Sequence, residues 1–433
     1  MGENKRVLIV TYYWPPSAGS GVQRWLKFAK YLPENGWDPV IFTPENPDFD
    51  LKDEGLLGAV SPDTEVLRFP IWEPYGILRK LKKKPLKDPA VILERKKKSL
   101  LDKTAIWMRA NLNVPDPRVF WVRNSVSFLL GIIERNNIEA VITTGPPHSM
   151  HLIGRNLKRK KNLAWIADFR DPWTSWEFLD AMPMLGMIRR LHLKLEQSVL
   201  READGVVTIS PTFARELEEI GGRKVEIITN GFDTDDLPAG FAAPAPSTGV
   251  FNVVYTGIID SIRDPVPFLK AFKLAFGEAF VKVLLTFVGK VSEPVRNFIQ
   301  EDDWLATHVA FAGYLPHRQV FEFYQNADLL LLILTHTKNA QGNIPGKLFE
   351  YIATGKKIIA LGDPEGDSAR IIRELDAGGV FRHGAVDEMR QFLLRHSGNP
   401  NRGIPRKNMG KYDRKHLTRQ LAGLLNEKTD TLS

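Results

Sequence analysis

Cysteine is absent from the 433 residues, which excludes disulfides, thiolate nucleophiles and every Cys-based zinc pattern. No run approaches the ~20 consecutive apolar residues of a spanning helix. The N-terminus also lacks the short apolar core and small-residue cleavage site of a signal peptide, so a cytoplasmic location is expected. Gly19-x-Gly21 would need glycine at position 24 to complete a dinucleotide fingerprint, and Arg24 stands there instead. An NAD site is thereby disfavoured. There is no Gly-x-x-x-x-Gly-Lys-Ser/Thr phosphate loop and no His-Glu-x-x-His, and His148 and His151 have no neighbouring carboxylate that completes a metal set. Neither a metal nor a cofactor is expected.

What is present describes a folding chain. Hydrophobic residues make up 43% and charged residues 25%, far from the composition of disordered chains. The length exceeds what one core ordinarily supports and predicts two domains with a connector. The net charge of +8 is local: ten basic residues against Asp88 and Glu94 between Arg79 and Lys98 give a net +8 there, leaving the rest near neutral. Apolar residues such as Leu81, Leu86, Val91, Ile92 and Leu93 are interleaved, a mixture suited to an anionic membrane face. A solvated insertion with its lysines in water is the plainer alternative. Nucleic acid is not expected as a partner, because no recognition module or aromatic stacking pattern accompanies the charge.

Hydrophobic periodicity gives a repeated alternation of strand and helix. A β-branched run from Arg6 to Tyr13 leads through a Pro/Gly/Ser loop into Val22, Trp25, Leu26, Ala29 and Leu32 at helical spacing. Strands are predicted at Pro39–Thr43, Ile138–Thr143, Leu163–Phe169 and Gly205–Ile209, and helices at Pro115–Asn137, Ser149–Lys158 and Leu185–Ala203. The stretch after Pro44 reads as an irregular insertion. After a Pro/Gly/Asp-rich run the alternation restarts, with strands at Phe251–Gly257, Val281–Gly289, His308–Gly313, Asp328–Leu334, Lys356–Leu361 and Gly379–Arg382. This predicts an α/β protein of two doubly wound, Rossmann-like domains facing across a cleft. The expected organisation is an N-terminal domain over 1–235 with the basic insertion at about 77–103, a linker over 236–250, and a C-terminal domain over 251–405. A last helical segment, 406–433, is expected to cross back to the first domain. Ligands of such sheets sit outside the carboxyl ends of the strands.

The clearest constellation is Gly342-Asn-Ile-Pro-Gly-Lys-Leu-Phe-Glu-Tyr-Ile-Ala-Thr-Gly-Lys356. A leucine-rich strand ends in polar residues, and a helix starts near Pro345 with Lys347 and Glu350 on neighbouring turns. Free amides and the dipole at such a start favour a diphosphate, and a carboxylate one turn in is placed to accept from ribose hydroxyls. An ordinary amphipathic helix with solvated Lys and Glu has the same pattern.

Pro345-x-Lys347-Leu-Phe-Glu350-Tyr-x-Ala-x-Gly355-Lys resembles the donor-binding motif of the GT-B retaining glycosyltransferases of the large family four type, the group 1 glycosyltransferases. Other blocks agree in order: Val206-Val-Thr-Ile-Ser210, Asn230-Gly231-Phe-Asp233, Val253-Val-Tyr-Thr-Gly257 with Arg263, and Gly19-Ser20-Gly21. The resemblance spans the chain except the basic insertion. It implies a GT-B fold, a nucleotide diphosphate sugar as donor, Arg263 and Lys347 as the cations that stabilise the departing diphosphate, and His148 as a residue touching the donor sugar. Donor binding is expected at Glu350, Gly19, Gly21, Gly257, Asn343, Pro345, Gly346 and Leu348, with Lys290 as a further cation. Asp168, Arg170 and Asp171 are expected on the acceptor side, the alternative being an internal Arg–Asp pair that fixes their loop.

One departure stands out. The family's second Glu, eight residues before the ribose-binding one, is Gly342 here, which leaves Asn343 or backbone amides to hold the transferred sugar. Asp48-Phe-Asp50 has the Asp-x-Asp form of metal-dependent transferases but is too short a pattern to carry weight. The expected activity is retaining transfer of a hexose-type unit from the nucleotide diphosphate sugar to a hydroxyl of a lipid-linked or polysaccharide acceptor, with Arg79–Lys98 on an anionic membrane surface. A GT-B epimerase and a non-catalytic membrane-docked nucleotide-sugar-binding protein remain as alternatives.

Overall fold

The computed structural model describes residues 4–47, 49, 52–73, 100–238, 241, 249–279, 281–398, 403–405 and 409–432. The basic segment Arg79–Lys98, the pair Asp48 and Asp50, and most of the Pro/Gly-rich run before Val250 lie outside them. The chain forms two compact units, residues 1–229 with 417–433, and residues 230–416.

In the first unit seven parallel strands lie in the order β3-β2-β1-β4-β5-β6-β7. They are β1 (Lys5–Val10), β2 (Trp37–Pro44), β3 (Glu65–Phe69), β4 (Ile138–Gly145), β5 (Ala164–Phe169), β6 (Gly205–Thr208) and β7 (Glu226–Ile227). Their helices are α1 (Ser20–Tyr31), α2 (Leu100–Leu112), α3 (Val119–Arg135), α4 (Ser149–Lys158), α5 (Glu177–Asp180), α6 (Gly186–Glu202) and α7 (Pro211–Gly221). Along β1 the side chains alternate between two cores: Leu8 and Val10 enter one, Val7 and Ile9 the other. That is why the strand reads as an unbroken apolar run.

The second unit has six parallel strands in the order β10-β9-β8-β11-β12-β13. These are β8 (Val250–Thr256), β9 (Lys282–Val288), β10 (Val309–Gly313), β11 (Leu329–Ile333), β12 (Lys357–Leu361) and β13 (Gly378–Phe381). Helices α8 (Val266–Phe276), α9 (Glu293–Gln300), α10 (Asp303–His308), α11 (His317–Asn326), α12 (Gly346–Thr354), α13 (Asp367–Glu374) and α14 (Val386–Ser397) connect them. The final helix, α15 (Arg414–Asp430), sends Leu417, Leu421, Ala422, Leu424 and Leu425 into the first unit's core beside Val7, Trp25 and Ile166. Trp37 Nε1 donates to Asn426 Oδ1 at 3.0 Å and fixes its register.

The two-sheet α/β architecture agrees with the alternation in the sequence, and the anticipated strands fall within three residues of their places. Four elements were not anticipated, the four-residue α5 among them. The strand β3 is a half-buried edge of five residues that pairs only with β2, and its Glu65 and Arg68 hide the apolar signal. The two-residue β7 is too short to register, and α2 follows directly on a lysine-rich run. In the other direction, α3 starts at Val119 and not near Pro115, because Pro115 and Pro117 lack amide donors and disfavour helix in the residue before each.

Glu196 of α6 is fully buried, taking hydrogen bonds from the Thr174 hydroxyl and, at 3.2 Å, the Thr174 amide. Burial pushes its carboxyl up from 4.5 to about 7. A carboxyl raised in the folded state stabilises most at low pH, so its contribution fades as pH rises from about 4.5 towards 7. The neutral isostere Glu196→Gln is expected to melt several degrees higher at pH 8 and to flatten the fall in Tm between pH 5 and 8, at about 2–4 °C per kcal/mol relieved. An unaltered pH profile of Tm would count against this assignment.

Candidate functional site

Strand order reverses between β8 and β11 in the second unit, and the crevice at their carboxyl ends is where doubly wound sheets take ligands. The Lys347 ammonium lies there. From the first turn of α12 it donates to the Thr256 carbonyl at 2.8 Å and to Tyr255 Oη at 2.9 Å, with its Nζ 4.2 Å from the Tyr255 ring centroid. Burial pushes it down from 10.5 to about 7, and the Arg263 charge adds to the shift while Glu350 and Asp260 oppose it. Arg263 pairs with Asp260 at 2.5 Å on a half-exposed loop. No side chain caps α12, and no acid occupies its first turn.

Two glycines make this approach feasible. A Cβ on Gly257 would lie 2.9 Å from the Lys347 ammonium, and one on Gly289 would lie 2.1 Å from the Gly257 carbonyl. Both also have φ in the left-handed range, at +117° and +131°.

Glu350 is tied into a chain of hydroxyls. Tyr324 Oη donates to Glu350 Oε2 at 3.0 Å, and since that is its one proton, the Thr256 hydroxyl 3.0 Å away donates to Tyr324. Tyr351 Oη accepts from the Thr256 amide at 3.1 Å and reaches the Leu331 carbonyl at 3.2 Å. Burial pushes Tyr255, Tyr324 and Tyr351 above the ordinary tyrosine range, so all three stay protonated donors.

In the first unit the reversal falls between β1 and β4, and the loops after β1, β4 and β5 meet there. Asp116 accepts from the Ser149 amide at 2.8 Å and the Ser149 hydroxyl at 2.9 Å, which pins the start of α4 and the loop Gly145-Pro146-Pro147-His148 before it. The His148 ring stacks on Trp173 with centroids 4.9 Å apart and planes 5° apart. His151 stacks on Phe169 at 4.3 Å. Burial, with the neighbouring His151 and Arg170 charges, lowers His148 well below the ordinary histidine range, and burial takes His151 down to about 3. Both rings are therefore neutral at pH 7. The Pro172 carbonyl slightly favours protonation of His148, but neither of its ring nitrogens makes a full hydrogen bond. Arg170 donates to the Pro146 carbonyl and lies so close to α1 that a Cβ on Gly21 would meet its guanidinium at 1.7 Å. Gly19, at φ +116°, makes the bend into α1. Asp171 is pushed up by burial, with Arg170 pulling it back.

Not every expected residue faces a ligand. Asp168 is 1% exposed, and its carboxylate takes Arg24 at 2.8 and 3.2 Å, Trp25 Nε1 at 3.1 Å and the Thr144 hydroxyl at 3.0 Å. It is an internal anchor whose partner is Arg24, not Arg170. The Leu348 side chain is fully buried in the core, and its amide donates to the Pro345 carbonyl at 3.0 Å. Lys290 is exposed and does not figure among the charges acting on Lys347. Asn343 is half-buried with its carbonyl held by Ser368 Oγ at 2.8 Å, while Pro345 and Gly346 form the cap and first residue of α12. Tyr255, Thr256, Tyr324 and Asp116 were missed as supporting residues, whereas Trp173 stands in the sequence beside the Asp168–Asp171 cluster. The only available signal was the placement of Tyr255 and Thr256 at a strand end. Among the described residues no group of three or more metal-ligating side chains converges.

Two doubly wound parallel sheets, the second with a half-buried cation at its switch point, have the architecture of a GT-B fold. Residues 19–231 match the family described as glycosyl transferase 4-like domain. Sucrose-phosphate synthase from Thermosynechococcus elongatus superimposes with a TM-score of 0.63 at 15% identity, over 99% of this chain and 100% of that one. HepE from Anabaena, solved in complex with UDP and glucose, gives 0.60 at 14% identity over 98% and 100%. The lipopolysaccharide outer core galactosyltransferase WaaB gives 0.57 at 11% over 98% and 99%. No curated protein matches the chain in sequence. The N-terminal half of the chain thus carries a glycosyl transferase 4-like domain, and the chain as a whole has the GT-B fold of these structures.

Removing one partner of a buried pair costs about 3–5 kcal/mol. Asp168→Ala is accordingly expected to unfold or severely destabilise the protein, whereas Arg170→Ala should leave Tm nearly unchanged. Equal Tm values for the two variants in a calorimetric scan would refute the distinction.

Proposed function

We propose that the protein transfers a hexose-type unit from a nucleotide diphosphate sugar to a hydroxyl of a lipid-linked or polysaccharide acceptor, with retention of configuration, in cell-surface polysaccharide or glycolipid synthesis. The observation that carries this reading is the half-buried Lys347 ammonium, held by neutral oxygens beside the Arg263 guanidinium and a helix start that no side chain among the described residues caps. Its hydrogen bonds go to a phenol and a carbonyl, while Glu350 and Asp260 act on it only from a distance, and a pyrophosphate would pair with it directly. As the glycosidic bond to the β-phosphate breaks, negative charge grows on the departing diphosphate, where fixed cations stabilise it without reorganisation. Glu350, one turn further along α12, accepts from the ribose hydroxyls. On the first unit the neutral His148 offers a ring nitrogen to a sugar hydroxyl, with Arg170 and Asp171 on the acceptor side. Gly342 and Asn343 leave the transferred sugar to backbone and amide contacts. The reaction in this reading uses no metal and takes place at the inner face of the membrane, with Arg79–Lys98 against anionic lipid. Among the described residues no helix is long and apolar enough to cross a membrane.

Two outcomes follow. In a thermal-shift screen against UDP, GDP, ADP and TDP sugars, one base should raise stability by a few kcal/mol at saturating concentration. Lys347→Met or Arg263→Ala should then lower kcat by roughly 10²–10³ in a radiolabelled-donor assay. A chain that binds no sugar nucleotide and consumes none would end the proposal.

A pH dependence tests the same cradle. The free ammonium titrates at about 7, and a bound diphosphate raises that value. Donor affinity is therefore flat at low pH and falls above pH 7, by up to about tenfold per pH unit until the bound-state value is reached. Lys347→Met should weaken binding at pH 6 and remove the slope. Calorimetric titration showing the same slope in both proteins would place the titrating group elsewhere.

A further inference from the structure

The first unit carries an apolar face that its own fold does not cover. On α2, Trp107, Met108 and Leu112 are 43%, 48% and 59% exposed, and at the start of α6, Leu185, Met187 and Leu191 are 47%, 66% and 41% exposed. The two helices are laced into one surface by Asn111, whose amide donates to the Pro183 carbonyl at 3.0 Å and whose oxygen accepts from the Leu185 amide at 2.8 Å. Between them runs an open groove of about 650 Å³, lined by Lys103, Ile106, Trp107, Met182 and Pro183. Single exposed apolar residues are ordinary, but a contiguous group of this kind marks an interaction surface.

The charge pattern identifies the partner. Met187, Arg190, Leu191 and Lys194 recur at i, i+3, i+4 and i+7, so cations and apolar side chains share one outward stripe of α6. From Gly186 to Arg201 the one acid is Glu196, which is buried on the opposite side. Protein–protein interface cores are depleted in lysine, and a second copy would bring like charge against like. An anionic bilayer surface suits both halves of the pattern: apolar side chains enter the headgroup boundary, while Arg190 and Lys194 extend their stems and keep their charges among lipid phosphates. Trp107 has the amphipathic ring that favours that depth.

We propose that the face formed by α2 and the beginning of α6 is a bilayer-docking surface that inserts Trp107, Met187 and Leu191 into an anionic lipid interface. The inference deepens the membrane partner proposed above and rests on that reading for its purpose, but it names residues separate from Arg79–Lys98, so either can fail alone.

The test is flotation of the full chain with vesicles of phosphatidylcholine, with or without about one-third phosphatidylglycerol. Three proteins are compared: wild type, the triple variant Trp107→Ser/Met187→Ser/Leu191→Ser, and a variant with Arg95, Lys96, Lys97 and Lys98 changed to serine. The substituted apolar side chains are exposed, and the donor-induced thermal shift should stay at its wild-type value, showing that each variant is folded. Wild type is expected to float with the anionic vesicles, and the triple variant to bind them roughly 10²-fold or more weakly. Binding by the triple variant equal to wild type overturns the proposal. Loss in the basic-segment variant alone keeps the membrane reading but rejects this face. A wild-type chain that floats with neither vesicle rejects both. If the triple variant instead splits a wild-type dimer in light scattering, the face is a contact between copies and the proposal falls.

Discussion

A half-buried ammonium with no carboxylate directly bonded to it among the described residues is the constraint around which the second unit's site is organised. Taking such a charge out of water costs several kcal/mol unless it finds compensation. Among the described residues Lys347 hydrogen-bonds a carbonyl and a phenol oxygen, and the Arg263 charge works against it while Glu350 and Asp260 favour it from a distance. The fold nevertheless holds it in place, through the left-handed backbone of Gly257 and Gly289 and through tyrosines that burial keeps protonated. In this state the site already has the charge and geometry that a pyrophosphate needs. Little rearrangement is left for the moment of bond cleavage, which is the condition under which electrostatic stabilisation is most effective.

The corresponding place in the first unit is built on the opposite principle. Its histidines are neutral and stacked on Trp173 and Phe169, and its fully buried ion pair, Arg24 with Asp168, is turned inward to hold α1 against β5. An uncharged aromatic setting suits hydroxyls, which need directional hydrogen bonds and gain little from a net field. The Gly145 region shows how tight it is, since a Cβ there would fall 2.5 Å from His151 Nε2.

How much of this could be read from residues alone varied with the range of the contacts. Strands such as β1, β4 and β11 announce themselves because both faces are buried, and the Pro345 to Lys356 stretch placed Lys347 and Glu350 on one helix start. The hydroxyl chain from Glu350 through Tyr324 and Thr256 to Tyr351 was hidden, because those residues come from α12, α11 and the end of β8 and meet only once these elements pack together. Asp168 misled for the same reason. Its neighbours in sequence suggest a surface charge cluster, and the arginine that neutralises it stands 144 positions earlier. The edge strand β3 escaped notice because one of its sides has no partner.

The route of the chain through α15 bears on how the protein is made. The hydrophobic layer over Val7, Ile9, Trp25 and Ile166 is completed by Leu417, Leu421 and Leu425, which are translated after the whole second unit. A nascent first unit therefore emerges from the ribosome with only α1 on that side of its sheet and lacks the share that α15 supplies through the synthesis of nearly two hundred further residues, about 10–40 s at ordinary elongation rates. The second unit, contiguous in sequence, can fold first.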